Sequence, residues 1–357
     1  MKLKYFIYST LLVGLLSCNK ENSVDPLPTK PTNTFGVLVN DADGVNFSIS
    51  QKVTFVKDVF KVPYTRVSIA IPNWTGTSAI FEAFNNAGIK VFLNVSSKVT
   101  NETTPPGPFI TDLVLYRTKL IEILDKYKPE VLVVENEETN EQYYTSPPQD
   151  YINILTIAID EGHKRNIKVT NGGIPLRTST LLCWDNYQST GQTAAAANYA
   201  LRAFPSSISA NMPAFMASNV QAQQMLSKAK TLMNAYKTLQ LDFVNFHWYE
   251  LVTQREIAAQ TSDLPTLAHV DMKAFEETYN YYKSFTGKQP ITNEIGQINK
   301  VGSLLTDIVT KCYDLKIPYV IWYSGDGGAG KATALYDGSG TLRDNGNAFK
   351  TFISSKY

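Results

Sequence analysis

The chain has 357 residues and a formal net charge of +1, from 33 basic and 32 acidic side chains, with 43% hydrophobic residues and three cysteines. A charge so balanced, with no marked basic run, argues against nucleic acid or an acidic surface as the main partner and points to a neutral ligand. The length suits one large α/β domain with a short leader.

In chain order, the first segment reads as an export signal. Lys2 and Lys4 precede an apolar run of 12 residues, 5–16, shorter than the roughly 20 that a bilayer-crossing helix needs. The run ends in LLSC (15–18), which resembles the lipobox of bacterial lipoproteins. That resemblance implies cleavage before Cys18, diacylation of its thiol, and a protein anchored at the bacterial cell envelope, at the outer membrane or cell surface. An ordinary secretory signal with an incidental Cys18 is the alternative. Residues 19–34 are polar with three prolines and read as a tether. The organisation expected is therefore 1–17 signal peptide, 18–34 lipidated cysteine and tether, and 35–357 a single catalytic domain.

Eight strand-like apolar runs follow, at 35–40, 64–71, 89–96, 130–137, 167–173, 241–249, 290–296 and 318–325. Helical patterns separate them. Tyr151, Ile154, Leu155, Ala158, Ile159 and Gly162 recur at helical spacing, and so do Val301, Leu304, Leu305, Ile308, Val309 and Cys312. Strands rich in β-branched residues alternating with amphipathic helices predict a parallel sheet covered by helices, and eight units predict a (β/α)8 TIM barrel. A doubly wound open sheet is the structural rival. The fifth unit is enlarged: residues 174–240 separate strands five and six, with extra helices expected, one over 221–239. Insertions on the strand-end face commonly shape a substrate cleft.

The candidate chemistry lies at strand ends. Glu137 ends strand four and Glu294 ends strand seven, roughly across the barrel mouth from each other. Glycosidic hydrolysis needs one carboxylic acid to protonate the departing oxygen and one carboxylate at the anomeric carbon; in retaining enzymes the two stand about 5 to 5.5 Å apart. Asn136-Glu137 and Glu294 resemble the signature residues of glycoside hydrolase clan A, the retaining (β/α)8 glycosidases that include cellulase-like and mannanase-like families. The resemblance implies Glu137 as acid/base and Glu294 as nucleophile. It implies support of the nucleophile by Arg66 and by the Tyr249 hydroxyl, a strand-six role for His247, and a sugar platform at Trp322. Independently, Trp74, Trp248 and Trp322 fall at or just after strand ends, where large rings could receive the apolar faces of sugars. Trp184, in LLCWDNY, reads equally well as a helix residue packing inward.

One stretch resists assignment. In Glu135-Asn136-Glu137-Glu138, strand alternation puts Glu135 on the same face as Glu137, so Glu135 or Glu138 is the acid if the strand ends one residue off. Neighbouring carboxylates would also raise one another's pKa. Two other signals carry no site. GDGGAGKA (325–332) has phosphate-loop spacing, but Ala332 replaces the magnesium-binding hydroxyl and no helix follows. His163, His247 and His269 lack ligand spacing, so no metal and no cofactor are expected. Cys183 and Cys312 read as buried thiols in preference to a disulfide. The function expected is a retaining glycosidase acting as a monomer on a neutral, β-linked oligo- or polysaccharide. A catalytically silent glycan-binding lipoprotein is the alternative.

Overall fold

A computed structural model describes residues 31–100, 103–250, 272–298, 300–327 and 333–357. The signal segment, Cys18, nearly all of the tether, His269 and residues 328–332 of the rejected phosphate loop lie outside these. The eight apolar runs form eight strands: β1 (Phe35–Val39), β2 (Tyr64–Ala70), β3 (Lys90–Ser96), β4 (Val131–Val134), β5 (Lys168–Asn171), β6 (Phe243–Asn245), β7 (Gln289–Ile295) and β8 (Val320–Ser324). They make one parallel sheet in the order β5-β4-β3-β2-β1-β8-β7-β6. Its two edges meet: Asp242 N–H donates to the Val169 carbonyl (3.0 Å), Ile174 N–H to Asn245 (3.1 Å) and His247 N–H to Ile174 (2.9 Å). The sheet is therefore curled into a (β/α)8 barrel, and the open-sheet rival is excluded.

The helices form where side chains satisfy their first amides and where an apolar stripe faces the strands. Helix α1 (Ile49–Thr54) carries a reciprocal Ser48/Gln51 capping box. Ser78 caps α2 (Ala79–Asn86), and Asp112 caps α3 (Leu113–Lys126). Helix α4 (Pro148–His163) buries Tyr151, Ile154, Leu155, Ala158 and Ile159, the stripe read from the sequence. The enlarged fifth unit holds five helices: α5 (Leu176–Ser189), α6 (Thr193–Ala203), α7 (Ser206–Ser209), α8 (Met212–Ser218) and α9 (Val220–Thr238). Helices α10 (Lys273–Thr286), α11 (Gly302–Asp314) and α12 (Asp344–Lys356) complete the ring. Among the described residues, no helix is long and apolar enough to cross a membrane.

Two apolar layers result. Inside the barrel, Tyr64, Phe92, Val131, Val133, Ile291 and Ile321 pack together. Outside it, the alternate strand residues meet the helices. Cys183 and Cys312 are buried and unpaired, and burial pushes the Cys183 thiol up to about 12.

Candidate active site

Above the inner apolar layer the barrel opens into a cavity of about 890 Å³, with Glu137 and Glu294 both on its wall. Neither glutamate arrives there by plain strand alternation. On β7, Thr292 pairs with Val320 and Ile295 with Trp322, so three steps on β7 oppose two on β8. This bulge turns Glu294, which alternation would send outward with Thr292, toward the mouth. On β4 the ladder stops at Val134, and Glu135 and Glu137 both take left-handed backbone (φ 64° and 52°). Asn94 Nδ2 donates to the Glu135 carbonyl, and the Glu135 N–H donates to Val95, which holds this turn on β3.

The turn sorts the three clustered carboxylates. Glu135 is fully buried and accepts from the Ser97 N–H (2.9 Å), the Ser97 hydroxyl (2.6 Å) and the Tyr144 hydroxyl (2.8 Å). Glu138, also fully buried, accepts from Asn171 Nδ2 (2.9 Å) and from the Tyr236 hydroxyl on α9. Neither lines the cavity, so the shared face expected for Glu135 and Glu137 is not realised. Glu137 does line it, its Oε2 held by Asn140 Nδ2 at 2.7 Å and its Oε1 lying 3.1 Å from His247 Nδ1.

Glu294 is gripped at both oxygens. Arg66 Nη1 donates to Oε2 at 2.6 Å and the Tyr249 hydroxyl to Oε1 at 2.7 Å. Arg66 also donates from Nη2 to Asn136 Oδ1, which ties the residue before Glu137 to the residue that holds Glu294. Burial pushes the Glu294 carboxyl up, but the charges of His247 and Arg66 and the bonds from Tyr249 and Arg66 outweigh it, so the group is held below the usual carboxylate range. In His247, burial lowers the pKa while Glu294 and Glu137 raise it more, and the net direction is up. One oxygen each of Glu137 and Glu294 and a ring nitrogen of His247 lie within 4.8 Å of one another. Among the described residues this is the sole grouping of acids and histidine tight enough to hold a cation, whereas His163 pairs with Asp242 at 2.9 Å.

The tryptophans depart from expectation. Trp248 and Trp322 are fully buried in the outer layer, Trp248 edge-on to Phe275 (5.1 Å) and Trp322 against Phe349 of α12 (5.9 Å). Trp74 follows a short turn after β2 and packs on Tyr127 (5.8 Å), off the cavity wall. Trp184 packs inward on α5. The aromatic that β8 offers the cavity is Tyr323, one residue after Trp322, standing 6.3 Å from Tyr249. Tyr143 adds a third ring from the loop after β4. The phase Tyr319, Ile321, Tyr323 was the available signal, since the first two fill the inner layer. The fifth-unit insertion contributes only Leu176 among the described wall residues, and its helices otherwise cover the outside of the barrel.

No protein-family model matches the chain, and no curated protein does. Solved structures share its fold. A GH128 (subgroup II) endo-beta-1,3-glucanase from Sorangium cellulosum aligns with a TM-score of 0.53 at 12% identity, over 89% of this chain and 98% of that one. A GH5_18 protein from Bifidobacterium longum subsp. longum, crystallised in complex with Manb1-4GlcNAc, aligns at 0.56 and 10% identity, over 91% of this chain and 78% of that one. The neighbours are glycosidase barrels, and at these identities the likeness is one of fold.

Proposed function

We propose that the protein is a retaining glycoside hydrolase cutting a neutral, β-linked glycan, with Glu294 as nucleophile and Glu137 as acid/base. The observation that carries this reading is the approach of Glu137 and Glu294 oxygens to within 4.8 Å. Oxygens that close favour the roughly 5 to 5.5 Å carboxyl separation of double displacement over the about 6.5 to 9.5 Å across which an inverting enzyme places its water. Glu294, held ionised by Arg66 and Tyr249, attacks the anomeric carbon while Glu137 protonates the departing oxygen. Water then gives its proton to Glu137, and its oxygen displaces Glu294. The cations among the described wall residues are Lys52 and an Arg66 already committed to Glu294, which disfavours an anionic sugar. Tyr249, Tyr323 and Tyr143 offer rings with a hydroxyl edge for the sugar faces. The LLSC sequence supports placement at the cell envelope through lipidated Cys18.

The full chain is to be incubated with a panel of β-linked glycans and new reducing ends followed. Glu294→Gln is expected to abolish turnover. Glu137→Gln is expected to lose about 10²- to 10⁴-fold on glycans but far less on aryl glycosides whose leaving group needs no proton. Undiminished cleavage by Glu294→Gln refutes the assignment, and binding without cleavage by the unaltered chain makes it a glycan-binding barrel instead.

A further inference from the structure

Three fully buried asparagines stand on the strands that close the barrel: Asn171 ending β5, Asn245 ending β6 and Asn293 in β7. Backbone partners settle which end of the amide is oxygen in Asn171 and Asn245, and Asn245 then settles it in Asn293. Asn171 Nδ2 donates to Glu138 Oε1 and to the Asn245 carbonyl, both at 2.9 Å, and its Oδ1 accepts from the Asn245 N–H at 2.6 Å. Asn245 Nδ2 donates to the Asn171 carbonyl (3.2 Å), and its Oδ1 accepts from the Asn293 N–H (3.0 Å). The Asn293 atom that Asn245 Nδ2 meets at 2.7 Å must therefore be its oxygen, because a flipped amide would set two NH₂ groups against each other.

That same oxygen lies 2.8 Å from Nε2 of His247. An acceptor opposite Nε2 makes it the N–H in the neutral ring as well as in the charged one. Only glycine fits beside this edge of the ring, since a Cβ on Gly173, at φ +104°, would fall 2.1 Å from Nε2. The other nitrogen, Nδ1, faces Glu137 Oε1 at 3.1 Å and Glu294 Oε1 at 3.7 Å. A bare lone pair and a carboxylate repel at the shorter distance, so one proton belongs between Nδ1 and Glu137.

We propose that the Asn171–Asn245–Asn293 ladder fixes His247 as the Nε2–H tautomer and makes Nδ1 the store for the proton that Glu137 delivers. In the transfer the N–H bond at Nδ1 breaks, an O–H bond forms at Glu137, and imidazolium becomes neutral imidazole with the pair's charge unchanged. Only this last step rests on the reading of Glu137 as acid. The charged groups acting on His247 are Glu137 and Glu138 after β4, Glu294 from β7 and, in opposition, Arg66 from β2. The asparagines and His247 are positioning residues, acting on substrate through Glu137.

The test is nitrogen NMR on the full chain labelled with 15N-histidine. The chain has three histidines, and His247→Gln identifies the resonances of interest. Nε2 is expected to stay protonated from about pH 5 to 9 while Nδ1 alone titrates. The Nδ1 midpoint should fall by about one unit or more in Glu137→Gln, which removes an anion, and rise by a similar amount in Asn293→Asp, which keeps the acceptor and adds one. A neutral His247 with its proton on Nδ1 overturns the ladder, as does a midpoint indifferent to Glu137→Gln, a variant that leaves the ladder intact should Asn293→Asp fail to fold. These measurements use no glycan, so loss of the glycosidase reading leaves them standing. In an active enzyme, the alkaline limb of kcat/KM should move upward with the midpoint in Asn293→Asp. A limb that stays in place overturns the proton store and spares Glu137 as acid.

Discussion

Glu135 shows how one carboxylate beside another can be kept out of the chemistry. It is buried under three donors from Ser97 and Tyr144, and burial, aided by the nearby Glu138 charge, pushes its carboxyl up to about 7 even though those donors pull it down. The folded chain thus retains a proton that the unfolded chain releases nearer its ordinary value of 4.5. Stability from this group is complete below the unfolded value and is lost as pH rises through the folded one. Melting temperature should accordingly decline between about pH 5 and 8, and Glu135→Gln, which has no proton to lose, should decline less. Parallel profiles for the two proteins would contradict this account. Only the Asn136-Glu137 match set Glu137 apart from Glu135 and Glu138 in the sequence, because nothing in it announces left-handed backbone at two glutamates. That conformation is imposed by Asn94 and by the strand neighbours.

At the level of elements, the sequence was informative where burial is one-sided. The α4 and α11 stripes, Cys312 included, lie buried as their spacing predicts. Barrel strands are buried on both faces, so their alternation is nearly silent. VIWYSG thus names strand eight without saying which aromatic looks inward, and the β7 bulge that aims Glu294 depends on pairing with β8. Substitution separates the two rings of β8. Trp322→Ala should cost about 3–5 kcal/mol in urea unfolding and leave kcat/KM of the folded fraction close to the parent value. Tyr323→Ala should barely move the urea midpoint but raise KM for glycan roughly tenfold. The reverse pattern would return Trp322 to the cleft. The fifth-unit helices were legible as helices, but their distance from the cavity was not, because no local pattern says which flank of the barrel a helix will cover.

For the whole molecule, closure of the barrel and assembly of the site are one event. The β5–β6 seam is closed by few backbone bonds and by the side chains of Asn171 and Asn245, and Asn245 in turn holds the Asn293 that meets His247. Where the first and last strands lie side by side, Arg343 ties Asp326 after β8 to Asp43 after β1 (2.7 and 2.8 Å), bringing the first and last loops together. The placement of the four tryptophans has a consequence for how this protein can be observed. With three indoles in the apolar layer and Trp74 against Tyr127, ultraviolet emission is a gauge of packing that is blind to the cleft. Urea should shift the emission maximum to the red, whereas saturating glycan should leave it unmoved; a glycan-induced shift would place an indole at the sugar. Occupancy has to be read by calorimetry or from tyrosine signals, and the shift that glycan causes in an unfolding curve followed by fluorescence then reports stabilisation by binding alone, with no change in the folded-state signal.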